Sequence, residues 1–483
     1  MSLARGAAHG AAWSFATVVA ERGAGFFVLA LLMRVIPLRD VGLIAIASAI
    51  SDLARVVANS GAGEQVQANP GNLEIEAGAF WSQLIASFAF MTVLWLVAPW
   101  VASAYQLPLL PVLRVMAVNV VITAFLIVPS ARLASQFRFR TIGFISFGST
   151  ALGGACALLL AYKGHGLMAL IIQRLVGIIF YAVAACVCAR WTPPPPPALT
   201  VMGAGFRFSL PLMEAAFVDF IAVTGYIMLV GLRMPVNALA QFRIAQRLVE
   251  VLQEIAFLPA RKVFMPVLVA IQANTPRRAE IFRQMLDPLS ILIFFVCAVS
   301  GATAKPIVLI MFGEKWSQAV PVFSILTLVT PALAFYGMIN PVLTVAGRTR
   351  LVSWYAWVNA LTIVACCWLV APYGLVPLAW ALAVRGCAGL LLFFMALKQG
   401  ALGSVWAIAR LLGLPVAGLI AARLSAYVVI ECLPPLSRVN ELAASVFTAA
   451  LVFLSVVLVL APLRIKNMWL RLSRALLSRQ VVP

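Results

Sequence analysis

The sequence predicts an all-α polytopic membrane protein with about fourteen transmembrane helices, arranged as two pseudo-symmetric six-helix lobes and two C-terminal helices. The 483 residues are 64% hydrophobic and only 10% charged, whereas a soluble globular protein carries about 25% charged residues. Apolar segments of about 20 residues, the length of one bilayer crossing, recur along the chain. Sequence landmarks of the first half also return in the second. This composition leaves no room for a sizeable water-soluble domain.

Fourteen apolar segments are separated by turn or charge signals. They are long and unbroken, which favours helices over the strands of a barrel, whose crossings show about ten residues of alternating hydrophobicity. Six segments precede a proline tract, six follow it, and two more lie near the C-terminus. The predicted spans are residues 11–35, 41–59, 79–102, 112–130, 144–162, 167–189, 208–229, 238–258, 286–304, 318–341, 353–371, 374–396, 405–430 and 442–462.

The proline tract, Pro193–Pro197, marks the boundary between the two sets of six spans. Proline fixes φ and lacks an N–H, so the tract cannot continue a helix and favours an extended, semi-rigid conformation. We interpret it as a linker; the alternative is a docking ligand for an SH3-like partner. The predicted domains are an N-terminal lobe (1–190), a cytoplasmic linker (191–206), a C-terminal lobe (207–398), two additional helices (399–463) and a basic cytoplasmic tail (464–483).

The charge distribution predicts the orientation. The chain carries 35 Lys plus Arg against 15 Asp plus Glu, a formal net charge of +20. Connections on the side of the termini hold nineteen cationic residues and those on the other side hold six, so the positive-inside rule places both termini in the cytoplasm. One cytoplasmic loop is acidic, with Glu64, Glu74 and Glu76. The basic balance therefore indicates orientation, and no nucleic-acid partner is expected.

A repeated spacing relates the two halves. Pro111–Val112 is followed by Ala124–Phe125 at the same distance at which Pro321–Val322 is followed by Ala334–Phe335. Because six is an even number of crossings, both halves would enter from the cytoplasm as parallel repeats. Such repeats are found in alternating-access transporters.

The eighth span carries four charges on one helical face. Arg243, Arg247, Glu250 and Glu254 are spaced by four, three and four residues, which aligns them along the helix. An ionisable group in a span costs several kcal/mol unless it faces a cavity or a partner. Two interpretations stay open: the stripe lines an aqueous cavity, or it is a self-neutralising ladder, with Arg247 paired to Glu250, that holds helices together.

Further charges lie in the first, second and seventh spans. Asp52 and Arg55 are three residues apart and either satisfy each other or contact a ligand. Glu21 and Arg22 are adjacent and point about 100° apart, so they need different partners. The seventh span carries two acids, Glu214 and Asp219.

Three more arginines, Arg174, Arg385 and Arg423, lie in later spans. Arg174 and Arg385 take corresponding places late in each half, where a cavity role and snorkelling to the membrane face are equal alternatives. Arg423 lies deeper in the thirteenth span and has no sequence explanation.

The residue inventory excludes several kinds of chemistry. The chain has only two histidines, His9 and His165, and seven of its eight cysteines lie in apolar segments, so neither a metal site nor a Ser-His-Asp arrangement is expected. No phosphate-binding loop of the Gly-x-x-x-x-Gly-Lys-Ser/Thr type occurs, which disfavours ATP hydrolysis. No cofactor is expected. Arginines in a low-dielectric cavity suit phosphate or carboxylate groups, which they bind through paired hydrogen bonds.

Several short segments carry a resemblance to a known family. The most specific is Phe312–Trp316, a Phe-Gly-x-Lys/Arg-Trp pattern, with Pro321 downstream. The others are Gly10–Ser14, Arg34, Pro37, Asp40, Gly42–Leu43, Phe80–Trp81, Leu110–Arg114 and the basic Arg132–Arg140 loop with Phe137–Arg138. Across about residues 8–400 the chain resembles the polysaccharide and lipopolysaccharide flippases of the multidrug/oligosaccharidyl-lipid/polysaccharide exporter superfamily.

The resemblance implies two six-helix lobes around a V-shaped cavity that opens to either side in turn. It also implies a substrate of undecaprenyl-diphosphate-linked oligosaccharide, whose lipid tail stays in the bilayer. By helix, Arg22, Arg55, Arg243 and Arg247 match the cavity arginines of the family and are the predicted substrate-binding residues. The chain departs from the family in its longer proline tract and in the two acids of the eighth helix. The acids predicted to balance charge or bind a coupling cation are Glu21, Asp52, Glu214, Asp219, Glu250 and Glu254.

The predicted function is a non-enzymatic flippase of the bacterial inner membrane that serves exopolysaccharide, capsule or lipopolysaccharide O-antigen export. Its expected partners are lipid-linked oligosaccharide, membrane lipids, and polysaccharide polymerase and chain-length machinery. A lipid II flippase and a cation-coupled multidrug antiporter of the same fold are alternatives. A membrane glycan polymerase is a further alternative, although such enzymes generally need a large external loop and the loops predicted here are short.

Overall fold

The computed structural model describes residues 22–59, 61–270, 275–399, 405–432 and 437–462. Within these ranges the chain is helical and contains no strand, and twelve helices are long and apolar enough to cross a membrane. These twelve coincide with twelve of the predicted spans. The first predicted span begins outside the described residues, and the eighth lies in the helix Val236–Ala270, which carries the charged stripe.

The helices follow one another with short connections. The first seven are α1 (22–35), α2 (Leu38–Asn59), α3 (Ala62–Ala68), α4 (Leu73–Tyr105), α5 (Leu110–Ser135), α6 (Phe139–Tyr162) and α7 (Gly166–Ala189). They are followed by α8 (Leu199–Phe220), a π-helical turn (Ile221–Gly225), α9 (Tyr226–Arg233), α10 (Val236–Ala270), α11 (Thr275–Ala302), α12 (Ala304–Phe312), a 3₁₀ turn (Glu314–Trp316), α13 (Ala319–Tyr336), α14 (Ile339–Val345), α15 (Thr349–Val370), a 3₁₀ turn (Ala371–Tyr373), α16 (Leu375–Gln399), α17 (Val405–Cys432) and α18 (Arg438–Leu460).

The chain divides into two compact units. The first unit comprises the residues up to 243 together with 356–374, and the second comprises 244–355 and the residues from 375 onwards. The boundary falls within α10, and a second boundary falls within α15. The domain boundaries drawn from the sequence, with their two additional helices, stay a prediction.

Within the first unit, α6 and α7 pack closely because small residues face each other. A Cβ at Gly153 would lie 2.5 Å from the carbonyl oxygen of Gln173, so only glycine permits this approach. The Ser149 hydroxyl donates a hydrogen bond of 2.7 Å to the Gly177 carbonyl. Close backbone approach and interhelical hydrogen bonds are the main sources of helix association in lipid. The α6–α7 pair is therefore a fixed support for the polar side chains that it carries.

The proline tract is attached to the first unit. The indole N–H of Trp81 donates a 3.0 Å hydrogen bond to the Pro194 carbonyl. Beside it, Trp191 is buried and packs edge-on against Phe80, with ring centroids 5.1 Å apart. Edge-to-face aromatic pairs add about 1 kcal/mol beyond the area they bury. The residues that lead into the linker are thus anchored on α4.

In the second unit, the segment Phe312–Trp316 forms a tight corner between α12 and α13. Gly313 has φ of 95°, a conformation that favours glycine, and Trp316 is fully buried beside Phe312. Burial lowers the pKa of the Lys315 ammonium in this corner. The most specific segment of the family resemblance is therefore a structural turn.

Candidate functional site

Asp52 joins two arginines of the first unit. On α2, Arg55 Nε donates a 3.1 Å hydrogen bond to Asp52 Oδ1. From α7, Arg174 Nη2 forms an ion pair with the same oxygen. The exposed fractions are 18% for Asp52, 36% for Arg55 and 32% for Arg174, so none of the three side chains is fully enclosed by protein. The local Asp52–Arg55 pair is one of the two alternatives that the sequence left open for these residues. The contact between Asp52 and Arg174 of α7 was not predicted from the sequence.

The α10 stripe has the helical geometry that its spacing predicts. Arg247 Nη1 donates a 2.8 Å hydrogen bond to Glu250 Oε2, while both side chains remain about one-third exposed. Arg243 and Glu254 are half-buried on the same helix. The opposite positions of α10 are buried and apolar: Ile244, Ala245, Leu248 and Val249. The expected Arg247–Glu250 ion pair is therefore present, and both of its side chains stay partly exposed.

The two acids of α8 lie where the helix departs from regular geometry. Pro211 interrupts the hydrogen bonding of α8, and the π-helical turn begins at Ile221, two residues after Asp219. Both Glu214 and Asp219 are exposed. Single π-helical turns within α-helices are frequent at functional sites because they leave backbone groups free to rearrange.

Glu214 borders a cavity of about 540 Å³ in the first unit. The cavity is otherwise apolar and partly aromatic, because its walls include phenyl rings from α4 and α8. Its lining includes Val57, Phe90, Phe206, Met213 and Phe217. A single carboxylate among aromatic side chains is suited to a lipophilic cation.

The start of α1 carries the remaining predicted arginine. Arg22 is exposed and is the first residue of the described part of that helix. Glu21 lies outside the described residues.

Glu76 occupies a different place from the cytoplasmic loop to which the sequence assigned it. It lies in the first turn of α4 with only 2% of its surface exposed, and Arg132 Nη1 is 4.0 Å from its Oε2. The helix begins early because the Asn72 side chain accepts hydrogen bonds from the N–H groups of Glu74 and Ile75, both 3.1 Å long. Asn is a favoured N-cap residue, so Asn72 was the signal in the sequence that could have indicated this earlier helix start. Glu64 likewise lies on a helix, α3.

Arg423 of α17 is held in the second unit by neutral oxygens. Its Nη1 donates to the carbonyl and hydroxyl oxygens of Ser324, at 2.7 and 3.2 Å, and its Nη2 donates to the Thr327 hydroxyl. A Cβ at Gly301 would lie 1.6 Å from Nη2, so α11 closes tightly over the guanidinium. Among the described residues no carboxylate forms an ion pair with Arg423. Sequence analysis found the residue but not its partners.

Groups of three or more His, Cys, Asp or Glu side chains that could hold a metal ion do not occur within the described ranges. The chemistry that this arrangement offers is therefore paired charge inside membrane helices. Such pairs are costly to bury and are typical of transport pathways.

A comparison with known families decides the assignment. A profile of the family described as "Polysaccharide biosynthesis protein" matches residues 31–321, more than half of the chain. The chain belongs to this family. The matched range includes the Asp52 cluster, both acids of α8 and the α10 stripe.

Individual relatives agree with the family. The chain is 22% identical over 351 residues to the succinoglycan biosynthesis transport protein ExoT of Rhizobium meliloti, covering 72% of this chain and 71% of the relative. It is also 22% identical to the teichuronic acid biosynthesis protein TuaB of Bacillus subtilis, over 57% of this chain and 58% of the relative. Its fold is similar to that of the lipid II flippase MurJ in an inward closed conformation, with a TM-score of 0.75 at 10% identity over 93% of this chain and 98% of the other.

These findings make the chain a multi-pass membrane protein of a polysaccharide biosynthesis family, with a fold similar to that of a flippase. The predicted fold class and family are confirmed. The succinoglycan relative is described as a transport protein and the structural relative as a flippase. The predicted roles of the arginines and acids stay predictions.

Proposed function

We propose that this protein is an alternating-access flippase that moves undecaprenyl-diphosphate-linked oligosaccharide from the cytoplasmic to the periplasmic leaflet of a bacterial inner membrane. Both termini lie in the cytoplasm, and the product supplies polysaccharide polymerase and chain-length machinery for export. The family and the succinoglycan transport relative support a glycan cargo. Similarity to a lipid II flippase supports a fold suited to lipid-linked cargo.

The observation that carries this proposal is the set of partly accessible guanidinium groups on membrane helices. Arg55 and Arg247 retain 36% and 34% of their side-chain exposure although they lie within α2 and α10. A guanidinium presents a planar fork of N–H groups that matches two phosphate oxygens at once. Arg22, Arg55, Arg243 and Arg247 engage the diphosphate or acidic sugars of the cargo.

The neighbouring acids lower the energetic cost of placing these cations within the membrane. Asp52 and Glu250 each neutralise an arginine in the structure, so the diphosphate competes with an internal carboxylate for the same N–H groups. Such competition favours release, because the acid returns to the arginine when the cargo leaves. The other acids, Glu21, Glu214, Asp219 and Glu254, balance charge or bind a coupling cation.

The test uses a deletion strain complemented with wild-type protein, with Arg247→Ala or with the control Lys163→Ala. Lys163 is an exposed cation between α6 and α7. We measure how much undecaprenyl-linked glycan becomes accessible from the periplasm, and the membrane level of each variant by immunoblotting. Arg247→Ala should reduce translocation at least about tenfold, because it removes hydrogen bonds to a charged group. Unchanged translocation in single alanine variants of all four arginines would sink the proposal.

A second candidate function, cation-coupled export of lipophilic cations, is favoured by the Glu214 cavity. We would follow efflux of tetraphenylphosphonium from cells that carry wild-type protein or Glu214→Gln. Efflux that requires Glu214, without any glycan translocation, would replace the flippase proposal by this one. Absence of tetraphenylphosphonium efflux would exclude this second candidate and leave the flippase as the one proposed function.

A further inference from the structure

A second cavity of the first unit, about 510 Å³ in volume, lies among α2, α5, α6 and α7. The volume is within the range of about 300–1,000 Å³ that is usual for small-molecule sites. One part of the lining is polar and the other is apolar. The polar part consists of Ser48, Ser149, Thr150, Gln173, Arg174 and Tyr181, and the apolar part includes Ile44, Leu126, Leu170 and Ile178.

The polar part combines neutral hydrogen-bonding groups with one arginine that shares a carboxylate. Its one cation, Arg174, is paired with Asp52. The Ser149 and Ser48 hydroxyls donate to the Gly177 and Ala45 carbonyls, at 2.7 and 3.2 Å, so their oxygens remain acceptors. A hydroxyl keeps two lone pairs, and a carboxamide offers two donors as well as an acceptor. Thr150 and Gln173 add these groups from α6 and α7.

The depth of the cavity limits what can occupy it. Ser48 lies ten residues after the start of α2, and Arg174 lies eight residues after the start of α7. At a rise of about 1.5 Å per residue, both are roughly 12–15 Å along their helices. The hydrocarbon core is about 30 Å thick, so this distance along the helices corresponds to about half of one crossing. Phospholipid head groups lie at the surfaces of the bilayer, which makes a lipid head group an unsuitable occupant.

We propose that this cavity binds a hexose unit of the transported glycan. A pyranose ring has apolar C–H faces and a rim of hydroxyl groups, which matches an apolar wall opposite donors and acceptors. The Tyr181 ring adds a surface on which the sugar face can pack. The inference rests on the proposed function and places a sugar subsite inside the first unit.

The test is saturation-transfer NMR on the full-length protein in lipid nanodiscs, with methyl β-D-glucopyranoside as the probe. The wild type should show saturation transfer. The variant Thr150→Val with Gln173→Leu should bind the probe at least about tenfold more weakly, because it removes the hydrogen bonds of two side chains. The control Thr141→Val makes one of the same changes on α6 outside the cavity and should bind as the wild type does. Thermal unfolding verifies that each variant is folded, and Thr150→Val alone replaces the double variant if that variant is unstable.

Three outcomes overturn the sugar site. They are no saturation transfer from the wild-type protein to the glucoside, equal glucoside binding by the wild type and the double variant, or binding of inorganic phosphate that Arg174→Gln abolishes. Translocation of lipid-linked oligosaccharide in vesicles, measured in parallel, separates this inference from the proposed function. Translocation without glucoside binding removes the sugar site alone. Glucoside binding without translocation keeps the site and removes the flippase.

Discussion

Two arginines inside membrane helices, Arg174 and Arg423, are satisfied in opposite ways. Arg174 shares a carboxylate oxygen with Arg55, keeps 32% of its exposure and borders a cavity. Arg423 is enclosed by carbonyl and hydroxyl oxygens, with no room for a Cβ at Gly301. A cation that shares its counter-ion and has free space beside it can exchange partners. A cation held by neutral oxygens in a closed cage fixes helix positions instead, because removing its partners leaves a charge in low dielectric.

The largest expected effect comes from closing the Arg423 cage. Gly301→Ala would place a methyl group 1.6 Å from the present position of Nη2, so the guanidinium must leave its acceptors. We expect a loss of about 3 kcal/mol in stability, since overpacking and lost charged hydrogen bonds combine. Thermal unfolding in detergent measures it. The matched control is Gly413→Ala in α17, where an added Cβ meets nothing within 4 Å; equal stability of the two variants would contradict a rigid cage.

A smaller effect is expected from removing a single acceptor of Arg423. Thr327→Val keeps the side-chain shape but deletes the hydroxyl that accepts from Nη2, at a cost of about 2 kcal/mol for a hydrogen bond to a charged group. Thr330→Val is the control, because this equally buried hydroxyl only donates to the carbonyl of Leu326. If the two variants unfold at the same temperature, the hydroxyl does not contribute to holding the arginine.

The Asp52–Arg174 pair should contribute less than the cage. In a double-mutant cycle with Asp52→Asn and Arg174→Gln we expect a coupling free energy of about 1 kcal/mol, because the pair is partly exposed and screened. Unfolding of the wild type, both single variants and the double variant gives the value. A coupling larger than the effect of Thr327→Val would reverse the comparison and make this pair the more structural of the two.

The smallest effect is expected for the exposed ion pair at the start of α18. Arg438 pairs with Glu314 in the second unit, with exposed fractions of 49% and 65%. Arg438→Gln should change stability by less than about 0.5 kcal/mol, and this difference should vanish in high salt. Unfolding at low and high ionic strength measures it. A larger, salt-independent loss would show that exposed pairs rival the intramembrane ones.

The sequence was sufficient for the features that local rules control. A bilayer crossing requires about 20 apolar residues, so twelve described spans were predictable, and i, i+3 spacing brought Arg247 to Glu250. The rotation of one helix against another was not predictable, because lipid-facing and protein-facing sides of a membrane helix are both apolar. The contact between Arg174 and Asp52 could therefore not be predicted from the sequence. The cage of Arg423 was hidden because its acceptors include backbone carbonyls, which every residue type supplies.

The aromatic anchor of the proline tract also bears on how the chain is made. Phe80 and Trp191 belong to a hydrophobic cluster whose members all lie between residues 62 and 191. Since the N-terminal part of a chain leaves the ribosome first, this cluster can close while the second half is still being translated. The third to sixth crossings then have their own packed core when α8 enters the membrane. Trp191 is the last residue of that core, and its arrival completes the first stage of biogenesis.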